Sequence, residues 1–413
     1  MIPNGSNPGP RRKVLFLTFS YPSAAGTGCQ LRSAGLIRML ATGADVHLVI
    51  AGYVERLGGP EDRVVEELCQ SIAYLRIAPG ANPWPRLRSL AGTVDVPTFD
   101  CAPHEASERI IQFYREHEID CLFVFRFEAV AFVCQMLDVF PVRYLDLDEL
   151  PSRREAMVGS LKPNESEAPA PGKRNSPAAV QLMEKAVLSR FHRVFVASAL
   201  EAEEVRRRTG FQHPLVLPNF YPIPPVPLER RKTARMEILF VGSLFYYPNA
   251  DAVLYFSREI FPLIREEKGD GVLFRIVGAG MAESFEWIKN QPGIEIMGYQ
   301  RDLAPFYAGA VMAVVPLRGG AGTRLKILEA FALGRAVVST SIGAEGLEVT
   351  DRKNILLADN PEAFARACIE LMDNPALAGR IAAEATRLQR DRYSDEALLQ
   401  CYEEINAGEV LTA

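Results

Sequence analysis

The chain has 413 residues, of which 48% are hydrophobic and 23% charged, with a formal net charge of −5. This length exceeds what one core organises and implies two domains; the composition is that of a globular protein, and the acidic balance argues against general nucleic-acid binding. Seven scattered cysteines without a C-x-x-C pair fit reduced thiols in a cytosolic protein.

Residues 1–12, MIPNGSNPGPRR, hold no apolar core and read as a flexible tail, not a signal peptide. No run approaches the ~18 apolar residues that span a bilayer, so membrane contact, if it occurs, is expected to be peripheral. The basic runs Arg11–Lys13 and Arg230–Lys232 are short and read as solvated surface. The first half, 13–220, opens with Lys13–Ser20, a continuous apolar run suited to a buried parallel strand. The loop Tyr21–Gln30 follows, then a helix through Arg32, Leu36 and Leu40. Further strands are expected at Val46–Ala51, Ile72–Ala78, Cys121–Arg126, Arg143–Asp148 and Val194–Ser198. Residues 160–178, SLKPNESEAPAPGKRNSPA, have no periodicity and read as a mobile loop, either a lid or plain disorder.

Four prolines between 222 and 227 make 221–234 an extended linker. The second half, 235–390, restarts with a strand at Met236–Gly242 and a helix from about Asn249 to Arg265. Strands follow at Leu273–Gly280, Ile294–Gly298, Val311–Val315 and Ala336–Thr340. From Pro361 the chain is helical and amphipathic, and 391–413 is expected to form a helix packing back toward the N-terminal domain. The alternation of strand and helix in both halves predicts an α/β fold of two Rossmann-like, doubly wound domains.

Residues 316–346, PLRGGAGTRLKILEAFALGRAVVSTSIGAEG, carry the most chemistry. Gly319, Gly320 and Gly322 let backbone approach a ligand closely. A helix is predicted from Arg324 to Leu333, with Thr323 as N-cap and Gly334 as the C′ residue. Its N-terminus favours a phosphate, and Arg324 and Lys326 add two cations. Glu329 lies roughly 9 Å further along the helix axis, about the reach from a diphosphate to a ribose, whose hydroxyls a carboxylate binds bidentately.

With ILFVGSLFYYPNADAV, RIVGAG and IEIMGYQRDLAPFYAGA, this segment resembles the donor domain of family-4 retaining glycosyltransferases, the glycosyltransferase group 1 type. The resemblance is dense over 236–358 and weaker over 13–220. It implies the GT-B architecture, two Rossmann-like domains facing each other across a cleft. It also implies transfer of a sugar from a nucleotide diphosphate sugar to an acceptor hydroxyl, with retention of anomeric configuration. No cofactor and no metal are implied. The acceptor would be a sugar, a lipid-linked or a small-molecule hydroxyl, and the place of action cytoplasmic, either free or peripheral at the inner membrane face. Donor contacts are implied at Gly242, Ser243, Gly278, Tyr299, Gly320, Ala321, Gly322, Thr323 and Glu329. Of the two glutamates that the family spaces as E-x7-E, only Glu329 is present; the first position is Ala321. The family's usual cations after the first donor-domain strand are also missing from Gly242–Asn249, leaving Arg324 and Lys326 to act from the opposite side. Asp148 stands where the family often has a catalytic His.

Other signals leave alternatives. Gly278-Ala279-Gly280 lacks the third glycine of a dinucleotide fingerprint and reads as a strand-to-loop turn. Asp146-Leu147-Asp148 is either a D-x-D metal motif or a pair of strand-end carboxylates, with Asp148 or Glu149 in the cleft. Gly26-Thr27-Gly28 either touches the sugar or diphosphate or is a surface turn. Arg32 either points into the cleft or is exposed. The five histidines show no metal spacing. Two other readings compete: a nucleotide-sugar 2-epimerase on the same fold, and a catalytically silent nucleotide-sugar-binding protein, motivated by Ala321.

Overall fold

The computed structural model describes residues 11–23, 26–52, 65–76, 104–161, 176–280, 285–322 and 324–410. Thr323, residues 1–10 of the expected tail and 162–175 of the expected loop lie outside the described residues. Two compact units are present. The first takes the chain up to Asp148 together with Ala178–Val196 and Ala202–Val216. The second takes Glu149–Pro177, Ala197–Glu201 and everything from Leu217 onward. The proline-rich segment expected as a linker and the C-terminal helices Pro375–Tyr393 and Asp395–Val410 are thus counted with the second unit.

In the first unit the strands are β1 (Arg12–Thr18), β2 (Ala44–Gly52), β3 (Cys69–Arg76), β4 (Cys121–Phe125), β5 (Val142–Asp146), β6 (Arg193–Val196) and β7 (Leu215–Val216). They form one sheet in the order β3-β2-β1-β4-β5-β6-β7, parallel throughout. Such a sheet is covered on both faces, hence the unbroken apolar runs. Phe16 and Phe123 are direct cross-strand partners with rings stacked at 5.2 Å, and Phe195 stacks on Phe123 at 5.9 Å.

In the second unit the strands are β8 (Met236–Val241), β9 (Val272–Val277), β10 (Ile294–Ile296), β11 (Ala310–Val315), β12 (Ala336–Ser339) and β13 (Leu356–Leu357). Their order is β10-β9-β8-β11-β12-β13, again parallel. The expected α/β class with two doubly wound sheets is observed. Several expected strands overshoot, because the residues that follow leave extended geometry: Arg126, Asp148 and Gly298 have φ of 70°, 59° and 68°. The two-residue strands β7 and β13 are too short to carry a sequence pattern.

The helix expected over 249–265 begins at Tyr247 and is interrupted at Phe256–Ile260 by a π turn before it resumes as Phe261–Lys268. Pro262 is the cause, since it has no N–H and its ring displaces the carbonyl one turn back. Helices Pro361–Asp373 and Pro375–Tyr393 start from Asn360 and Asn374, whose side chains accept from Ala363 and Leu377 N–H, both at 2.9 Å. Among the described residues no helix is long and apolar enough to cross a membrane.

The order of strands reverses once in each sheet: β1 is flanked by β2 and β4, and β8 by β9 and β11. Open parallel sheets bind ligands outside the carboxyl ends of the strands at such a reversal. That places Gly242 and the 316–322 bend, which follow β8 and β11, at the switch point of the second unit.

Candidate functional site

The backbone leaves β8 through Gly242 and Ser243. Gly242 N–H donates to Val277 O at 2.9 Å and Leu244 N–H to Ala279 O at 2.7 Å, so this exit is joined to that of β9. A β-carbon at Gly278 would stand 1.9 Å from the Gly242 carbonyl oxygen, and one at Gly280 2.8 Å from Phe245 N. The G-x-G at 278–280, expected as a strand-to-loop turn, therefore also serves close backbone packing.

On the other side of the reversal, residues 316–322 bend away from β11. Gly320 (φ 105°) and Gly322 (φ 79°) occupy left-handed backbone that other residues resist. The helix is Leu325–Ala332, with Arg324 as its N-cap and Leu333 as its C-cap, one residue shorter at each end than expected. Gly334 follows at φ 66°, as predicted for C′.

Arg324 is only 7% exposed. Its Nη1 donates to the Ala321 carbonyl, while Nε and Nη2 have no hydrogen-bond partner among the described residues. Leaving a buried polar group unmet costs about 1–3 kcal/mol, and a guanidinium with open donors is a receptor for carboxylate or phosphate oxygens. Nη2 lies 3.1 Å, and the Tyr246 hydroxyl 3.0 Å, from where a β-carbon on Gly320 would stand.

Lys326 projects toward the β8 exit. Its Nζ donates to Asn249 Oδ1 at 2.7 Å and lies 4.2 Å from the centre of the Phe240 ring. Asn249 Nδ2 in turn donates to Ser243 O at 2.8 Å. Burial first, and then the Arg324 charge, bring the Lys326 pKa down to about 7, with Glu329 opposing. Lys326, expected to act from the opposite side of the Gly242–Asn249 loop, thus reaches that loop.

Glu329 is buried at 7% exposure on the same helix. Burial pushes its carboxyl up to about 7; a hydrogen bond from Tyr221 and the Lys326 charge work against that rise. The Tyr221 hydroxyl donates to Oε1 at 3.3 Å, and Oε2 takes no hydrogen bond from the described residues. Tyr307, wholly buried, also faces this carboxyl.

The structure thus brings together Gly242, Ser243, Gly278, Gly320, Ala321, Gly322, Arg324, Lys326 and Glu329. Tyr299, expected at the donor, is a 66% exposed side chain beyond β10. Asn249, Tyr246 and Tyr221 were not foreseen. The sequence pattern marks Asn249 only as the end of the Gly242 loop and a helix start, and Tyr221 only as the first linker residue.

The first unit has its own cluster. Thr27 N–H and hydroxyl both engage Gln30 Oε1, at 2.9 and 3.0 Å, and Gly28 opens the helix Gly28–Ala41. Gly26 faces Gln30 so closely that a β-carbon would meet its side chain at 2.6 Å. Arg32 is neither exposed nor free to reach outward. It is 1% exposed and clamps Asp146 with Nε–Oδ1 at 2.9 Å and Nη2–Oδ2 at 2.6 Å. Asp146 Oδ1 also accepts Asp148 N–H at 3.0 Å. The Asp148 carboxylate lies 3.9 Å from Arg32 Nε and 3.8 Å from Arg126 Nε. Asp146 is therefore a structural ion-pair partner, and Asp148 the carboxylate nearer the surface.

Residues 235–374 match the family model described as Glycosyl transferases group 1. This stretch is similar to group 1 glycosyltransferases. Gly242, Asn249, Arg324, Lys326 and Glu329 all lie within the matched residues. An uncharacterized 44.6 kDa protein in the cps region of Klebsiella pneumoniae is 25% identical over 189 residues, 44% of this chain and 48% of that protein. The match spans about half the length of that relative. Sucrose-phosphate synthase of Thermosynechococcus elongatus superposes with a TM-score of 0.66 at 16% identity, covering 97% of this chain and 100% of the other. HepE of Anabaena in complex with UDP gives 0.65 at 12% identity, covering 96% and 100%. At these identities the likeness is one of fold: the GT-B class, with two parallel-sheet α/β units.

Proposed function

We propose that this chain is a retaining hexosyltransferase that moves a sugar from a nucleotide diphosphate sugar to an acceptor hydroxyl without a metal ion. The observation that carries this reading is Arg324, buried with open donors beside Lys326, at the switch point of the second unit. Glu329 stands further along the same helix with one oxygen unengaged. That spacing suits a diphosphate at the cations and a ribose at the carboxylate. The binding of UDP by HepE supports a nucleotide donor.

The chemistry follows from the charges. As the bond from sugar C1 to the diphosphate oxygen breaks, negative charge grows on the leaving phosphate. Arg324, Lys326 and the helix N-terminus oppose that charge, more strongly in the transition state than before it. The acceptor oxygen bonds C1 on the face the phosphate leaves, and its proton passes to the leaving phosphate. No protein base is then required, and Asp148 would orient the acceptor hydroxyl rather than deprotonate it. Gly26, Thr27 and Gly28 would contribute sugar-side contacts. The acceptor would be a sugar or a lipid-linked hydroxyl in glycan assembly at the inner membrane face, in keeping with a relative from a cps region.

A thermal-shift panel of UDP, GDP, ADP and TDP with their sugars tests the donor. A ligand at 100 times its Kd stabilises by about 2.7 kcal/mol. Proton NMR of the product then reads the anomeric configuration. Inverted product removes the retaining mechanism; an epimerised sugar without acceptor points to an epimerase. Nucleotide binding with no transfer in a broad acceptor panel points to a silent binder.

A further inference from the structure

Tyr221 follows Leu217-Pro218-Asn219 at the start of the proline-rich segment, yet its backbone is held on both sides. Its N–H donates to Tyr393 O at 2.9 Å, and its carbonyl accepts from Gln389 Nε2 at 2.8 Å. The same Nε2 also reaches Tyr393 O at 2.8 Å. Gln389 and Tyr393 are buried near the end of the helix Pro375–Tyr393. That helix is fixed to the Glu329 helix by Thr386 Oγ1, which donates to Phe331 O at 2.7 Å. Tyr221 is thus anchored by one helix while its hydroxyl reaches a carboxylate on the next.

Resting on the function proposed above, we infer that Tyr221 is a positioning residue for nucleotide recognition: its hydroxyl holds the Glu329 carboxylate in the orientation and ionised form that receive the ribose. By engaging Oε1 it leaves Oε2 and the second lone pair of Oε1 for the two ribose hydroxyls. A buried carboxylate tends to keep its proton, and a protonated Glu329 would lose one acceptor. The groups facing Glu329 are Tyr221, Tyr307 and Lys326. Tyr307 donates no hydrogen bond to it, so the Tyr221 hydroxyl and the Lys326 charge are what favour ionisation. Burial raises the Tyr221 phenol well above its ordinary range, so it stays a donor throughout the neutral range.

The experiment is the pH dependence of nucleotide affinity in wild type, Tyr221→Phe and Gln389→Met, by calorimetry. The probe is whichever of UDP, GDP, ADP and TDP binds the wild type most tightly. Lys326 and the terminal phosphate of the probe titrate in the same range in all three proteins, so the ratio of affinities is the readout. Without the phenol, Glu329 holds its proton to higher pH. Tyr221→Phe is expected to bind about three- to tenfold more weakly near pH 6.5 and to approach wild type near pH 8.5. Gln389→Met lies away from Glu329 and loosens only the anchor, so a smaller change of the same sign is expected; it also serves if Tyr221→Phe does not fold. A ratio that is constant with pH, or equal affinities, overturns the role of Tyr221 and leaves the donor assignment standing. Failure of all four nucleotides to bind the wild type overturns the donor assignment itself.

Discussion

A β-carbon on Gly242 would stand 2.7 Å from Nζ of Lys326, which makes the glycine a condition for the position of the cation. Gly242 is not among the glycines with left-handed φ, so alanine is acceptable to the backbone there. The clash falls on the end of a flexible side chain and on Asn249 Nδ2, 2.8 Å away. Gly242→Ala is therefore expected to fold, at a cost of about 1–3 kcal/mol, with Lys326 displaced. Nucleotide affinity should fall at least about tenfold. Wild-type affinity by calorimetry would show that Lys326 does its work from another position.

Glu329→Ala is expected to weaken nucleotide binding about ten- to hundredfold, since charge-assisted hydrogen bonds contribute roughly 1.5–3 kcal/mol. Unchanged affinity in a folded variant removes the ribose clamp from the scheme.

The ligand-free site should leave a mark on stability against pH. Glu329 has its pKa raised from 4.5 to about 7, so its contribution is full below 4.5 and is lost as pH rises toward 7. Lys326 has its pKa lowered from 10.5 to about 7, so the unfolded chain binds the extra proton between 7 and 10.5, and stability recovers over that interval. Both groups together place a minimum near pH 7. The double variant Lys326→Met, Glu329→Gln should lack that minimum in urea titrations across the range, and a dip of equal depth in both proteins would contradict the buried titration of this pair.

Arg324→Ala and Lys326→Ala are expected to reduce kcat by about 10²–10³, with a smaller effect on donor affinity, because the leaving phosphate gains its charge in the transition state. Pre-steady-state kinetics separate the two effects. If both variants keep wild-type turnover, the phosphate is held elsewhere, with Gly242 and Ser243 the next candidates.

Full activity is expected in excess EDTA. A D-x-D metal site needs both carboxylates turned outward, whereas both oxygens of Asp146 accept from Arg32. Asp146→Ala should accordingly act on the fold, costing about 3–5 kcal/mol by leaving the buried arginine unpaired. Activity abolished by EDTA and restored by Mn²⁺ would reverse this assignment.

The parts of the molecule that were legible in the sequence are those written in local pattern. Val311–Val315, the glycines after it, Lys326 and Glu329 follow one another within a single strand-loop-helix unit, so spacing alone located them. Gly334 was readable because a helix end calls for left-handed backbone. What escaped depends on partners distant in the chain. Arg32 meets Asp146 across 114 positions, and Tyr221 meets Glu329 across 108. Nothing beside either residue signals the partner. The π turn at Phe256–Ile260 did leave a trace, Pro262, inside a helical pattern long enough to mask it.

The hydrogen bonds that seat Tyr221 on Gln389 and Tyr393 have a consequence for the order of assembly. A chain is made from its N-terminus, and its parts begin folding as they emerge. Both sheets and the 316–322 bend precede residue 389. Tyr221 must therefore wait for a segment 168 residues further on before it is docked. Glu329 acquires its anchored phenol only after the helix Pro375–Tyr393 has been made.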